Sequence, residues 1–417
     1  MNAPRFDAVI AGGGLSGLSL AAHLATGGWR DHSVLVIDDI AARPSAVCWG
    51  FWSAAPGLLD PAVSRRYRQV RIHAAGTAHV VPLGPYRYQV VRRPDLYRVV
   101  MGLLDGCPGF AVRQGRVECL RDGVDAAETV VDGQPISSSW AFDSVTVPPH
   151  GTGVDARLAF TGWEVRCDRP VFDPRTPILF DFRTPQVGGA RFVYVLPHDA
   201  HRALVELTEF VPGRMRPPAS AARRDALAEY LRDVVRGGDY DILRTESAVL
   251  PLRACPPPRG AGRVLRIGAR GGLVKASTGY AYQRIQRDSE AIAGSLVRHG
   301  HPFDLPSPRR RHRLLDAILL EVLDRDPDQL EQAFSRLFSA NPAERVLRFL
   351  DEDSDLRDEL RLIASLPPMP YLRATGRWFH PTNRPWSGPS GGRHRHVVAA
   401  AEGSRTGRTT RHRDRPQ

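Results

Sequence analysis

Short apolar runs separated by glycine and polar turns fill the first part of the chain, and amphipathic helical patterns fill its last part. Residues 6–11 (F-D-A-V-I-A) form an apolar run long enough for one buried strand of a parallel sheet. A glycine turn follows at once, residues 12–17 (G-G-G-L-S-G), then a helical pattern through Leu18, Leu20, Ala21 and Leu24. A second apolar run, residues 33–37, closes on Asp38. Further on, residues 67–81, 86–91, 110–120, 129–131 and 140–144 read as strands. Between them, residues 93–104 read as a helix, with Pro94 in its first turn and Leu96, Val99, Val100, Leu103 and Leu104 at helical spacing. Residues 158–165, 178–182, 191–196 and 203–211 are four more strands set apart by turn residues, and 223–235 is a helix. Residues 264–268 predict a returning strand, followed by a glycine-rich loop and a helix over 280–297. Amphipathic helices are predicted at 314–323, 330–338, 343–350 and 356–363; beyond Pro370 the pattern gives way to Gly, Pro, Ser, Arg and His.

The opening stretch carries a specific chemistry. Strand, G-x-G-x-x-G, helix and second strand ending in an acidic residue about twenty positions on make a dinucleotide fingerprint. Gly12 permits the tight turn, Gly14 the approach of a pyrophosphate, and Gly17 the close packing of helix on strand. The free N–H groups at the helix start favour phosphate, and Asp38 is placed to accept hydrogen bonds from a ribose. Its position at the start of the chain favours a tightly held FAD. The fold class expected is therefore α/β: a FAD-binding Rossmann-type domain with an inserted β-rich substrate domain and a C-terminal helical layer. The expected bounds are 1–150 for the FAD-binding domain, with part of the substrate sheet at about 65–95, and 151–255 for the substrate domain. Residues 256–300 return to the FAD-binding domain, 301–372 are helical, and 373–417 form a disordered arginine-rich tail.

Composition narrows the partners. With 42% hydrophobic and 24% charged residues the chain has the balance of a soluble globular protein. No run of 18 apolar residues predicts a transmembrane helix, and no signal-peptide pattern is found at the start. Cys48, Cys107, Cys119, Cys167 and Cys255 form no C-x-x-C, so they are expected to be reduced cytosolic thiols, with neither a disulfide frame nor a metal site. The net charge of +12 suggests nucleic acid until it is located: ten arginines fall after position 372 against Glu402 and Asp414. The body is close to neutral, and nucleic-acid binding is not expected.

Residues 191–196, a P-H-D-A turn and residues 203–211 read as a β-hairpin. Alternation sets Leu204, Glu206, Thr208 and Phe210 on one face and Val205, Leu207, Glu209 and Val211 on the other, so Glu206 and Glu209 cannot act as a pair. If apolar surface covers Glu206, desolvation raises its pKa and makes it a usable acid. If the strand lies at an edge, Glu206 simply faces water.

In combination these motifs resemble the flavin-dependent lycopene β-cyclases of bacteria and plants, over residues 5–372. G-G-G-L-S-G with Asp38 is similar to that family's FAD strand–loop–helix. C-W-G-F-W at 48–52, W-A-F-D-S at 140–144, T-G-W-E at 161–164 and F-D-F-R at 180–183 resemble its later segments. F-V-Y-V-L-P at 192–197, L-V-E-L-T at 204–208, E-S-A-V-L-P-L at 246–252 and S-T-G-Y at 277–280 follow in the same order. The resemblance implies that Glu206 is the catalytic acid/base and that reduced FAD is the cofactor, with NADPH as electron source. It implies lycopene as substrate, its ψ-ends closing to β-rings to give γ-carotene and β-carotene with no net redox change. Trp49, Phe51, Trp52, Tyr194, Tyr280 and Tyr282 become candidates for stabilising a cation through their ring faces. Arg93 starts a helix where flavoproteins of this fold place an arginine towards FAD; a surface arginine is the alternative. Leu207 stands where a second acid is usual, and Ala276 where proline is usual. Ala269 follows Gly268 where related hydroxylases carry aspartate, so the N–H groups of Gly271, Gly272, Thr278 and Gly279 are expected to hold the cofactor. A redox flavoenzyme of the same fold, a monooxygenase or isoprenoid reductase, is the alternative reading. The hydrocarbon substrate implies a cytoplasmic, peripherally membrane-associated enzyme touching lipid through its C-terminal helices.

Overall fold

The computed structural model describes residues 5–39, 47–146, 154–187, 189–256, 258–260, 262–307 and 309–378. Strand β1 (Arg5–Ala11), helix α1 (Leu15–Thr26) and strand β2 (Val34–Asp38) form a parallel unit, with Val9 aligned on Leu35. The second half of β1, from Ala8 to Ala11, and all of β2 are buried, as strands covered on both faces must be. Strands β3 (Cys48–Ser53), β4 (Val63–Tyr67), β5 (Gln69–Ala74), β6 (Thr77–Pro82) and β7 (Arg87–Arg92) precede helix α2 (Arg93–Leu104). Next come β8 (Phe110–Gln114), β9 (Val117–Arg121), β10 (Ala127–Val131), β11 (Gln134–Asp143), β12 (Ala156–Cys167), β13 (Ile178–Asp181), β14 (Ala190–Pro197) and β15 (Arg202–Pro212). Helix α3 (Ser220–Tyr230), β16 (Tyr240–Leu252), β17 (Val264–Arg266) and α4 (Tyr282–His299) lead to α5 (Arg310–Arg325), α6 (Gln329–Ala340), α7 (Ala343–Leu350), α8 (Leu356–Ala364) and α9 (Pro368–Trp378).

Three sheets result. The first runs β8-β2-β1-β11-β10-β9; the far end of β11, still paired with β1, takes β17 as a parallel neighbour on the side where β10 has ended. The second runs β16-β12-β15-β14-β13-β5-β6, and the third is β3-β7-β4. Helices α1, α2 and α4 share a core with the first sheet. The second sheet is covered on one face by α3 and on the other by α5 to α8, so β14 and β15 are buried on both sides. Alternation along β15 therefore separates two interiors rather than core from solvent.

The α/β class and the β14–β15 hairpin agree with the sequence pattern. Residues 110–120, expected as one strand, are two strands on opposite sides of the first sheet, broken at Gly115. Helix α9 straddles the boundary expected at residue 372 and continues six residues into the expected tail, whose remainder, 379–417, lies outside the described residues. Lys275, the chain's single lysine, is 4% exposed and ties the loop before α4 to the C-terminal helices. Its Nζ lies 3.0 Å from both Asp316 of α5 and Glu352 after α7. No described helix is long and apolar enough to cross a membrane. Among the described residues no cluster of His, Cys, Asp and Glu is arranged for a metal.

Candidate active site

The glycine turn is built to interior tolerances. Gly12 has φ +109°, open only to glycine, and a Cβ on Gly17 would lie 1.8 Å from the Gly12 carbonyl oxygen. A Cβ on Gly13 would lie 2.5 Å from the carboxyl carbon of Asp38. That closeness tucks Asp38, 1% exposed, beneath the turn, where it accepts from the Gly13 N–H at 3.2 Å and from Arg93 Nη2 at 2.5 Å. Arg93 also donates to the Gly13 carbonyl at 3.4 Å, and its Nε is buried with no partner. The start of α1 has no side-chain cap and no acidic residue in its first turn, and Gly14, Leu15 and Ser16 open onto a cavity. An uncapped helix start of this kind suits an anionic phosphate.

The second glycine loop backs onto the first. Gly268 (φ +59°) sits where a Cβ would lie 2.0 Å from Ser16 Oγ, and Gly279 (φ +77°) packs on Leu158. The N–H groups expected to hold a cofactor are engaged within the loop itself. Gly271 donates to Ile267, Gly272 to Ala269, and both Thr278 and Gly279 to Lys275. The expectation of direct donation is thus corrected. Gly271 and Gly272 shape the turn, while Thr278 and Gly279 form cavity wall.

The cavity, about 370 Å³, runs from Gly14 and Ser16 to two carboxyl groups, Glu206 and Glu246. Both sit opposite the same residue of the strand between them: in β12, Gly162 aligns with Glu206 on one side and Glu246 on the other. Strands two places apart are roughly 9–10 Å apart. Because Gly162 lacks a side chain, the two carboxyl groups meet above it and hydrogen-bond. A Cβ there would lie 3.1 Å from Glu246 Cγ and 3.2 Å from Leu204 Cδ1.

The two acids are not equivalent. Glu206 is half-buried with its accessible side on the cavity. Burial, then the negative charge of Glu246, pushes its pKa well above the usual carboxylate range, and only the Thr208 hydroxyl opposes this. Glu246, 4% exposed, is also raised by burial, but the hydrogen bond from Glu206, the Arg244 guanidinium and the Cys48 N–H at 3.1 Å favour its ionised form. Arg244 is itself set by Glu164 at 3.2 Å. Of the two, Glu206 is thereby held further towards its protonated form, while Glu246 has the partners that suit a carboxylate. Glu209 lies on the other face of β15, 1% exposed and ion-paired with Arg191, as alternation required.

The chain matches the family described as "Lycopene cyclase protein" over residues 7–375. It belongs to the lycopene cyclase family. It is 27% identical to a protein of Paracoccus sp. named lycopene beta-cyclase over 226 residues, 51% of this chain and 56% of that relative. The match thus takes in little more than half of the relative's length. A Deinococcus radiodurans protein named "Uncharacterized carotenoid cyclase" is 26% identical over 373 residues, 84% of this chain and 87% of the relative. Among solved structures, a geranylgeranyl bacteriochlorophyll reductase-like protein of Thermoplasma acidophilum superposes with TM-score 0.63 at 12% identity. That superposition covers 88% of this chain and 98% of the other, and shows a shared fold.

In this lycopene cyclase fold, four of the six aromatic candidates line the cavity: Trp49, Tyr194, Tyr280 and Tyr282. Phe51 and Trp52 pack behind them, Phe51 stacked on Tyr282 at 3.8 Å and Trp52 edge-on to Tyr280 at 4.5 Å. Tyr88 joins the wall, which sequence reasoning had not assigned. Its hydroxyl occupies the space a Cβ on Gly50 would fill, at 1.9 Å, and bonds to Tyr280, which lies 3.1 Å from the Tyr194 hydroxyl. Burial holds all three phenols well above their ordinary pKa, hence neutral. Glu246 and Gly162 also escaped assignment, although both stand inside quoted motifs, E-S-A-V-L-P-L and T-G-W-E.

Proposed function

We propose that this protein is a lycopene β-cyclase, closing the acyclic ψ-ends of lycopene to β-rings as an isomerase. The observation carrying this reading is an acid, Glu206, at the far end of a largely apolar cavity that begins at the glycine turn, where burial pushes its carboxyl towards the protonated form. Glu206 donates its proton to the terminal C=C. The resulting tertiary cation is attacked by the neighbouring internal C=C, which closes the six-membered ring, and a ring carbon then releases a proton. A bare cation is very costly in an apolar site, so the ring faces of Trp49, Tyr194 and Tyr280 and the nearby carboxylates offset its charge. The residues present fit FAD. Gly12, Gly14 and Gly17 with the uncapped start of α1 would hold its pyrophosphate, the unpartnered Arg93 Nε lies beside them, and the 268–279 loop would form a wall of the flavin site. Reduced FAD, with NADPH as electron source, would supply negative charge beside the cation.

The substrate is a hydrocarbon, and the reading includes contact with lipid at the cytoplasmic face. Supporting it, Leu356, Leu360 and Ile363 repeat along one face of α8 and are exposed, as are Met369 and Leu372 of α9. Arg357 and Arg361 are exposed between them, suited to anionic headgroups. The reading is tested in a lycopene-accumulating bacterium, with pigments separated by chromatography. Wild type is expected to yield γ-carotene or β-carotene, and Glu206→Gln to lower cyclisation ~10²–10⁴-fold. Unchanged lycopene in cells holding flavin-loaded wild-type protein overturns it.

A further inference from the structure

Resting on the cyclase reading, we infer that Glu246 is a positioning residue for the reaction: across the gap left by Gly162 it forms with Glu206 a pair that holds one proton and recovers it each turnover. Three independent features of the fold build this pair. The register places both acids opposite Gly162. The absent Gly162 side chain leaves the space in which they bond, a space a Cβ would crowd at 3.1 Å. The Cys48 N–H fixes Glu246 Oε2 from β3, in a different sheet, at 3.1 Å.

An isomerisation needs a proton delivered and a proton removed at nearly the same place, and the pair supplies both. At rest the Glu206 O–H donates to the Glu246 carboxylate. When the substrate is protonated, the O–H bond breaks, a C–H bond forms, and the pair carries two negative charges beside one cation. Two carboxylates in contact are mutually repelling. They therefore stabilise the cation and draw the proton from the ring carbon. That C–H electron pair becomes the ring C=C, and the proton returns to the pair. Atoms and charges balance with no external acid, base or oxidant. The three cavity phenols, being neutral, do not compete for the proton.

The groups facing the pair allow its titration to be interpreted. They are Thr208 on β15, Arg244 on β16, Glu164 on β12, the Cys48 thiol on β3, Tyr88 on β7, Tyr194 on β14 and Tyr280 before α4. Arg244 bears on Glu246, while the thiol, raised to about 12 chiefly by burial, stays neutral with the phenols. Removing the Glu246 charge also relieves the Cys48 thiol, but that group starts from about 12, so Glu206 is the group facing the pair whose titration should move near neutral pH.

The test uses the full-length flavin-loaded enzyme as wild type and as Glu246→Gln, which keeps the size and hydrogen bonding of the side chain. The alkaline limb of kcat/KM against pH is expected to fall about 1–3 pH units lower in the variant, since a like charge has been removed. Infrared difference spectra without substrate are expected to show a protonated carboxyl in wild type at neutral pH, absent in Glu206→Gln and titrating at lower pH in Glu246→Gln. An unmoved alkaline limb overturns the inference, as does a carboxyl band that titrates identically in wild type and Glu246→Gln. The infrared arm needs no substrate and no activity. It judges the pair even if lycopene proves not to be what the enzyme cyclises.

Discussion

At the scale of the residue, the acid role proposed for Glu206 carries a stability signature. Its pKa is raised in the fold above the unfolded value of 4.5, so the native state holds a proton that the unfolded chain releases. By linkage this contribution to stability is fullest below about pH 4.5 and declines as pH rises towards the folded pKa. Glu206→Gln abolishes that decline. The variant is expected to be more stable than wild type at pH 8 by about 0.5–2 kcal/mol, and equal to it at low pH, measured by urea unfolding across the range. A variant no more stable at pH 8 than wild type would remove the case for a strained, protonated acid. Gly13 and Gly50 work in the opposite sense, since each is small so that a functional neighbour, the Asp38 carboxylate or the Tyr88 hydroxyl, can come close.

At the scale of the element, the legible parts of the fold were those whose polarity pattern matches their surroundings. The opening β1–α1–β2 unit, the β14–β15 hairpin and helices α5 to α7 bury or half-bury most of their apolar positions. Both faces of β15 are apolar and buried, so alternation could separate Glu206 from Glu209, but the family resemblance rather than the pattern singled out Glu206. Strand β16 was missed because its pattern runs backwards: Ile242, Leu243 and Val249 are exposed while Glu246 is buried. A buried acid inside and hydrophobes outside invert the signal on which strand reading depends. Helix α9 was hidden by Pro370 and Gly376 within it. The same scale governs the join between the second glycine loop and the helical layer. Lys275→Met leaves Asp316 and Glu352 without their shared cation. Arg284 remains 3.5 Å from Glu352, so the cost should fall near 3 kcal/mol, the lower end of the range for breaking a buried pair. Denaturant midpoints of the two proteins measure it, and a loss under ~1 kcal/mol would mean that the network relaxes at little cost.

At the scale of the whole molecule, the proposed substrate is a hydrocarbon that water does not dissolve, and it has to reach the cavity from lipid. If α8 and α9 are the lipid contact, replacing Leu356, Leu360 and Ile363 together by Gln should weaken co-sedimentation with anionic vesicles at least tenfold. Unfolding transitions should hardly change, because these side chains are already exposed. Equal vesicle binding by both proteins would move the contact elsewhere on the surface. The charge of the body is mostly arginine, and the one lysine is interior. That scarcity has a practical side. Amine-directed labels find no lysine on the surface of the folded protein, so the rate at which Lys275 becomes modified times how often the loop before α4 parts from the C-terminal helices. The protein thus carries its own built-in clock for the opening of that wall of the cavity, needing no engineered probe.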